Sequence, residues 1–166
     1  MKKFELTAEF VTNVFGKKLF RIKALVAFGD VSAGELGGFV EKEENLSNNG
    51  NAWVSGDAQV SGNAWVSGNA WVSGDARVSG DARVYGDADY AVVTGFGHCF
   101  RATTFFRCKD KILRVQCGCF YGDLAKFREI VKKTHGDSKY AKEYLAIADL
   151  MELHFSDEEE KQEADE

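Results

Sequence analysis

The chain has 166 residues, 45% of them hydrophobic and 28% charged, with a formal net charge of −5 and no proline. That length suits one compact unit or two small ones, and the apolar content is ample for a core. No signal-peptide pattern and no apolar run long enough to span a bilayer is present. The expected location is therefore the cytoplasm with no membrane partner, and Cys99, Cys108, Cys117 and Cys119 are expected as reduced, buried thiols.

In chain order, residues 1–27 predict a hairpin. Phe4 to Val11 alternates imperfectly, Phe15-Gly16-Lys17-Lys18 turns, and Leu19 to Leu25 returns. Its expected role is to cap the repeats of residues 51–89 at their N-terminal end. Residues 28–50 are glycine-rich and predict a lead-in loop. Gly37-Gly38 lacks the Lys-Ser/Thr and the helix of a phosphate-binding loop, so a tight turn is expected there. Val40 and Leu46 are six apart and start an irregular first coil, with a two-residue insertion at Asn48-Asn49-Gly50.

Residues 51–89 repeat (Asn/Asp)-Ala-x-Val-Ser-Gly. Valine recurs at Val54, Val60, Val66, Val72, Val78 and Val84, and alanine two residues before each. Residues two apart on an extended segment share a face, so Ala and Val point one way and the residue between them the other. The Ser-Gly-(Asn/Asp) segment supplies a corner that tolerates positive φ. A six-residue strand-plus-corner unit predicts a triangular coil of eighteen residues, a parallel β-helix with Val and Ala inside.

The outward residues are then Trp53, Gln59, Trp65, Trp71, Arg77, Arg83 and Asp89. Eighteen-residue stacking puts Trp53, Trp71 and Asp89 on one face, Gln59 and Arg77 on the second, and Trp65 and Arg83 on the third. Stacked Trp53 and Trp71, and a cation–π contact of Arg83 with Trp65, are expected. Two readings of the three tryptophans stand open. Either they form an interface with sister chains or a partner, or terminal segments of the same chain cover them.

Residues 90–100 leave the repeat, with Tyr90 and Phe96 closing the core. Residues 102–119 predict a second hairpin. Asp123 and Ser138 are N-cap candidates for two helices, the first ended by Gly136 and the second running to about His154. Residues 156–166 form an acidic tail. The organisation is thus 1–50 N-terminal β cap and lead-in loop, 51–100 repeat β-helix, 101–155 hairpin plus two-helix module, and 156–166 tail.

Charge is uneven along this layout. Residues 35–90 hold nine acidic and three basic residues, residues 101–133 nine basic and three acidic, and residues 155–166 seven acidic and one basic. The basic set Arg101, Arg107, Lys109, Lys111 and Arg114, interleaved with Phe100, Phe105 and Phe106, suits an anionic ligand, a nucleotide or nucleic acid. The alternative, and the one the composition favours, is a solvated face over a Phe core, screened by the tail.

The stretch Gly29-Asp30-Val31-Ser32-Ala33-Gly34, Leu36-Gly37-Gly38-Phe39-Val40-Glu41, Glu44-Asn45-Leu46-Ser47 and Ala52-Trp53-Val54-Ser55-Gly56 resembles the lead-in of a bacterial and phage hexapeptide-repeat family. Its members are similar to the YdcK-like left-handed β-helix proteins, often labelled transferases or polymer-forming proteins. The C-terminal residues Thr103 to Arg107 and Cys117-Gly118-Cys119-Phe120 resemble a module of phage and prophage proteins. The resemblance implies a left-handed helix and a phage or prophage source.

Catalysis on the coils is not expected. The repeats hold no His, Cys or Lys, and the corner Asp residues are explained by turn geometry. Cys117 and Cys119 on one strand face, with His98, Cys99 and Cys108, lack the spacing of common zinc frameworks, so no metal or other cofactor is expected. A Cys99–His98 nucleophile pair is disfavoured because adjacent strand residues face apart. The expectation is a mainly β protein that binds without catalysis through Trp53, Trp65, Trp71, Arg77 and Arg83. It would be a homo-oligomer that inhibits or sequesters a host component, such as a defence protein or a signalling nucleotide. A hexapeptide-type acyl- or nucleotidyltransferase and a self-assembling scaffold are the alternatives.

Overall fold

A computed structural model describes residues 2–86, 89–97 and 102–156. The N-terminal hairpin consists of β1 (Phe4–Thr12) and β2 (Lys18–Ala24), antiparallel, with a bulge between Leu6 and Phe10. Next comes β3 (Leu36–Val40), a strand in the segment expected to be a loop. The reason lies in Gly37 and Gly38. A Cβ on Gly37 would lie 2.5 Å from the Val54 carbonyl oxygen, and one on Gly38 2.6 Å from that of Ala58. The pair is a seam where two backbones touch, and not the expected turn.

Six two-residue strands come next: β4 (Trp53–Val54), β5 (Gln59–Val60), β6 (Trp65–Val66), β7 (Trp71–Val72), β8 (Arg77–Val78) and β9 (Arg83–Val84). They pair in parallel eighteen residues apart, Trp53 with Trp71, Gln59 with Arg77 and Trp65 with Arg83. Each is tied by backbone bonds such as Gln59 N to Ala76 O at 2.9 Å. The corner glycines Gly56, Gly62, Gly68, Gly74 and Gly80 have φ of 62–65°, so every unit turns alike. The repeated Val and Ala are 0–1% exposed and form one continuous core. The first coil is offset by twenty residues, as Phe39 pairs with Gln59 and Leu46 bridges to Val66, which is the register the two-residue insertion demands.

The hairpin contributes Phe4, Ile22 and Ala24 to the solenoid core. It extends the second face into a sheet of order β1-β2-β3-β5-β8, antiparallel through β3 and parallel beyond. At the other end lies a four-stranded antiparallel sheet of β10 (Tyr90–Val93), β11 (Thr103–Arg107), β12 (Leu113–Cys117) and β13 (Phe120–Asp123). The expected hairpin is its centre; Tyr90 to Val93 and Phe120 to Asp123 add a strand on each side. Alternation along β11 decides the layering. Phe106 packs into the solenoid core and Phe105 into the cluster under the helices.

The helices are α1 (Leu124–His135) and α2 (Lys139–His154). Asp123 and Ser138 cap them, accepting from Lys126 N and Ala141 N. Phe127, Val131, Tyr144, Ile147, Ala148, Met151 and Phe155 cover the sheet's outer face, while Ile130 and Tyr140 are 38% and 36% exposed. The segments 87–88, 98–101 and 157–166, which carry His98, Cys99, Arg101 and most of the acidic tail, lie outside the described residues.

Candidate functional site

The third face of the solenoid and the C-terminal sheet meet at a cleft. Ala82 forms an antiparallel bridge with Cys108, and Lys109 N donates to Asp81 O at 2.8 Å. This seam carries the β11–β12 turn to the edge of the last coil. The cleft that results has a volume of about 610 Å³ and is lined by Lys42, Glu44, Trp65, Asp81, Arg83 and Lys109, among others. It continues past Asp81 and Lys109 into a recess of about 350 Å³ bounded by Cys108, Asp110, Arg114 and Tyr121.

Among the lining residues the Trp65 side chain is 44% exposed. Asn63 organises the cations beside it. Lys42 Nζ donates to Asn63 Oδ1 at 2.8 Å, and Arg83 Nη1 donates to Asn63 O at 2.8 Å. Arg83 is thus held to the coil backbone while remaining in register beside Trp65. Its guanidinium satisfies carbonyls, where a cation–π contact was expected. Among the described residues the Lys109 ammonium has no ion pair, whereas Arg114 is paired with Asp110 at 2.8 Å.

Burial disfavours the charged forms of the thiol and the phenol in this recess. Burial raises the Cys108 thiol above its usual range, and burial pushes the Tyr121 phenol up to about 12. Arg114 and the Ile112 N–H hold the Asp110 carboxyl below the usual carboxylate range. Both Cys108 and Tyr121 are therefore protonated at neutral pH, unlike a thiolate catalyst.

The other expected binding residues disperse. Trp53 is fully buried, which overturns its place on an outward recognition surface. The chain's own N-terminal segment covers it. Phe28 packs edge-on at 5.3 Å, and a Cβ on Gly37 would lie 2.7 Å from its ring. Trp71 is half-buried beside it on the first face, its Nε1 donating to Ser55 Oγ at 2.7 Å. Asp89 does not stack below Trp71. It accepts from Tyr85 N and Gly86 N and pairs with Arg107 at 3.5 Å. Arg77 stays on the second face, where its backbone N–H donates to Thr104 Oγ1 at 2.9 Å.

Of the basic set, Lys109 lines the cleft and Arg114 the recess beyond it. Arg107 lies over the Phe155 ring at 5.3 Å, and Lys111 sits in the turn with φ of 69°. Cys119 is exposed, contrary to expectation, because Gly118 with φ of 59° turns the chain out of β12 between it and Cys117. No group of three or more metal-ligating side chains occurs among the described residues. The contributions of Lys42, Glu44, Asn63 and Tyr121 were not anticipated. For Asn63 a signal existed, since it stacks eighteen residues before Asp81 at the same corner.

The fold and this face define a mainly β protein with two helices and a β-solenoid. Residues 58–74 and 76–88 match the family described as YdcK Beta solenoid repeat, so the coils are similar to YdcK-like solenoids. No curated protein matches the chain. No helix among the described residues is long and apolar enough to cross a membrane.

Proposed function

We propose that this protein binds another protein without catalysing a reaction, and that the Trp65–Arg83–Lys109 cleft is its recognition surface. One observation carries the reading. The outward solenoid residues and the basic C-terminal turn, 26 residues apart at Arg83 and Lys109, line a single cleft around an exposed indole. Trp and Arg are the side chains enriched where protein interfaces concentrate their energy. The mixed charge favours a protein over nucleic acid or a nucleotide, because Glu44 and Asp81 among Lys42, Arg83 and Lys109 would repel a polyphosphate.

In this reading the repeats form a left-handed hexapeptide β-helix of phage or prophage origin. The protein acts in the host cytoplasm as an oligomer that blocks or sequesters a host component, as a counter-defence protein does. The absence of His, Cys and Lys from the repeats supports binding over transferase chemistry.

The test is affinity capture from host lysate with wild type and a Trp65→Ala/Lys109→Glu variant, read by mass spectrometry. A protein retained by the wild type and lost by the variant supports the reading. Identical captures would sink it, and stabilisation by a cyclic dinucleotide in a thermal-shift screen would replace it with a nucleotide sponge.

A further inference from the structure

We propose that Cys117 and Cys119 are a reversible dithiol–disulfide pair, a modification site at the β12–β13 turn that a small disulfide such as oxidised glutathione closes. The pair is independent of the protein-binding reading, because it lies at the end of the C-terminal sheet away from Lys109 and the cleft.

Cys117 is the last residue of β12 and pairs with Phe120, the first of β13, so Gly118 and Cys119 alone make the turn. Gly118 has φ of 59°, and among the described residues Lys111 alone of the non-glycines has a positive φ, so Cys119 does not. A glycine with positive φ followed by a residue with negative φ is the two-residue hairpin connection of the II′ kind. Cys117 and Cys119 are then two Cα steps apart. Two steps of about 3.8 Å span at most about 7.6 Å, and the bend at Gly118 shortens them into the roughly 4.4–6.8 Å that disulfides bridge. No other described thiol competes. Cys108 follows the far end of β11, and the four steps from Leu113 to Cys117 separate the two ends of that ladder by roughly 14 Å.

Exposure divides the roles. Cys119 is exposed and meets the oxidant, whereas Cys117 is half-buried beside the cluster under the helices. The buried Thr103 hydroxyl donates to Cys117 Sγ at 3.2 Å, which holds that sulfur at the head of the turn. In the first exchange the Cys119 thiolate attacks one sulfur of oxidised glutathione, a bond forms between them, and a glutathione thiolate leaves. The Cys117 thiolate then attacks the Cys119 sulfur and expels the second glutathione. Two cysteine thiols are oxidised, one disulfide is reduced, and the two cysteine protons end on the two glutathiones. The loop so closed is too short to stabilise the fold through chain entropy. A bridge drawn across an exposed tight turn is of the readily reduced kind, which suits a switch rather than a structural disulfide.

The test is incubation of the folded, full-length chain with oxidised glutathione, alkylation of the remaining thiols, trypsin digestion and mass spectrometry. The tryptic peptide 115–126 holds both cysteines, so a bridge leaves it unalkylated and about 2 Da lighter than its reduced form. That product is expected with wild type and with Cys99→Ser, and excess reduced glutathione is expected to remove it. Cys119→Ser, at an exposed position, is expected to fold as wild type does and to lose the bridge. Cys117→Ser is expected to stop at Cys119 carrying one glutathione. The proposal is overturned if both cysteines of the wild-type peptide are alkylated, if either is bridged to Cys99 or Cys108, or if the bridge forms only in urea. A bridge that reduced glutathione fails to reopen would be a structural disulfide and would also overturn it.

Discussion

The Ser79 hydroxyl donates to the Gln116 side-chain carbonyl across 2.5 Å, and both residues are buried. With the Arg77 N–H to Thr104 bond, this contact ties the last coil to the inner face of the C-terminal sheet. Ser79→Ala leaves the Gln116 carbonyl unsatisfied, at a cost of about 1–3 kcal/mol. A chain of this size loses roughly 2–4 °C in Tm per kcal/mol. Ser79→Ala/Gln116→Leu is expected to lose less than the sum of the two single variants. Strict additivity in thermal melts would show that the bond contributes nothing.

The two tryptophans Trp53 and Trp65 predict opposite outcomes. Trp53→Ala empties a fully buried site and is expected to cost about 3–5 kcal/mol. Its Nε1 finds no acceptor among the described residues, so Trp53→Phe is expected to cost far less. Trp65→Ala is expected to change stability by no more than about 0.5 kcal/mol. Denaturant titrations of the three variants check the order, and comparable losses for Trp53→Ala and Trp65→Ala would refute it.

Gly37→Ala introduces a methyl group 2.5 Å from the Val54 carbonyl and 2.7 Å from both Ile22 and Trp53. Backbone and packed rings cannot yield cheaply, so the expected loss is about 1–3 kcal/mol. Trp53 emission is expected to shift red as the N-terminal cover loosens. An unshifted spectrum and an unchanged melt would mean the seam is looser than described.

Lys3 is buried, its Nζ donating to Ala52 O at 2.6 Å and lying 4.4 Å over the Phe28 ring. Burial lowers its pKa from 10.5 to about 8. The folded protein thus holds this proton less tightly than the unfolded chain. Where the unfolded state binds more protons, stability rises with pH, which here spans about 8 to 10.5, with no contribution to the slope below. The Tm of wild type relative to Lys3→Met is therefore expected to climb by a few degrees, roughly, between pH 7 and 10. Parallel pH profiles for the two proteins would rule the effect out.

Much of the coil was legible because its rules are local. The six-residue period, inward Val and Ala, glycine corners and the two-residue slip of the first coil each depend on neighbours in the chain. So do the caps Asp123 and Ser138. Gly37-Gly38 misled because glycine marks both turns and close backbone approach, and only the strand opposite distinguishes them. Tyr90 to Val93 and Phe120 to Asp123 are too short to declare themselves as strands before their partners are known.

The sequence by itself determined the tube: which side chains fill it, how far apart its coils stack, and that indoles and guanidinium groups stand on the residue between Ala and Val. Only the tertiary structure decided which of those side chains meets solvent. The N-terminal segment folds back over Trp53, and the Ala82–Cys108 bridge brings Lys109 to Arg83. Periodicity sets a side chain's direction, but exposure depends on what distant segments lie in that direction, and their approach is fixed by packing rather than by spacing.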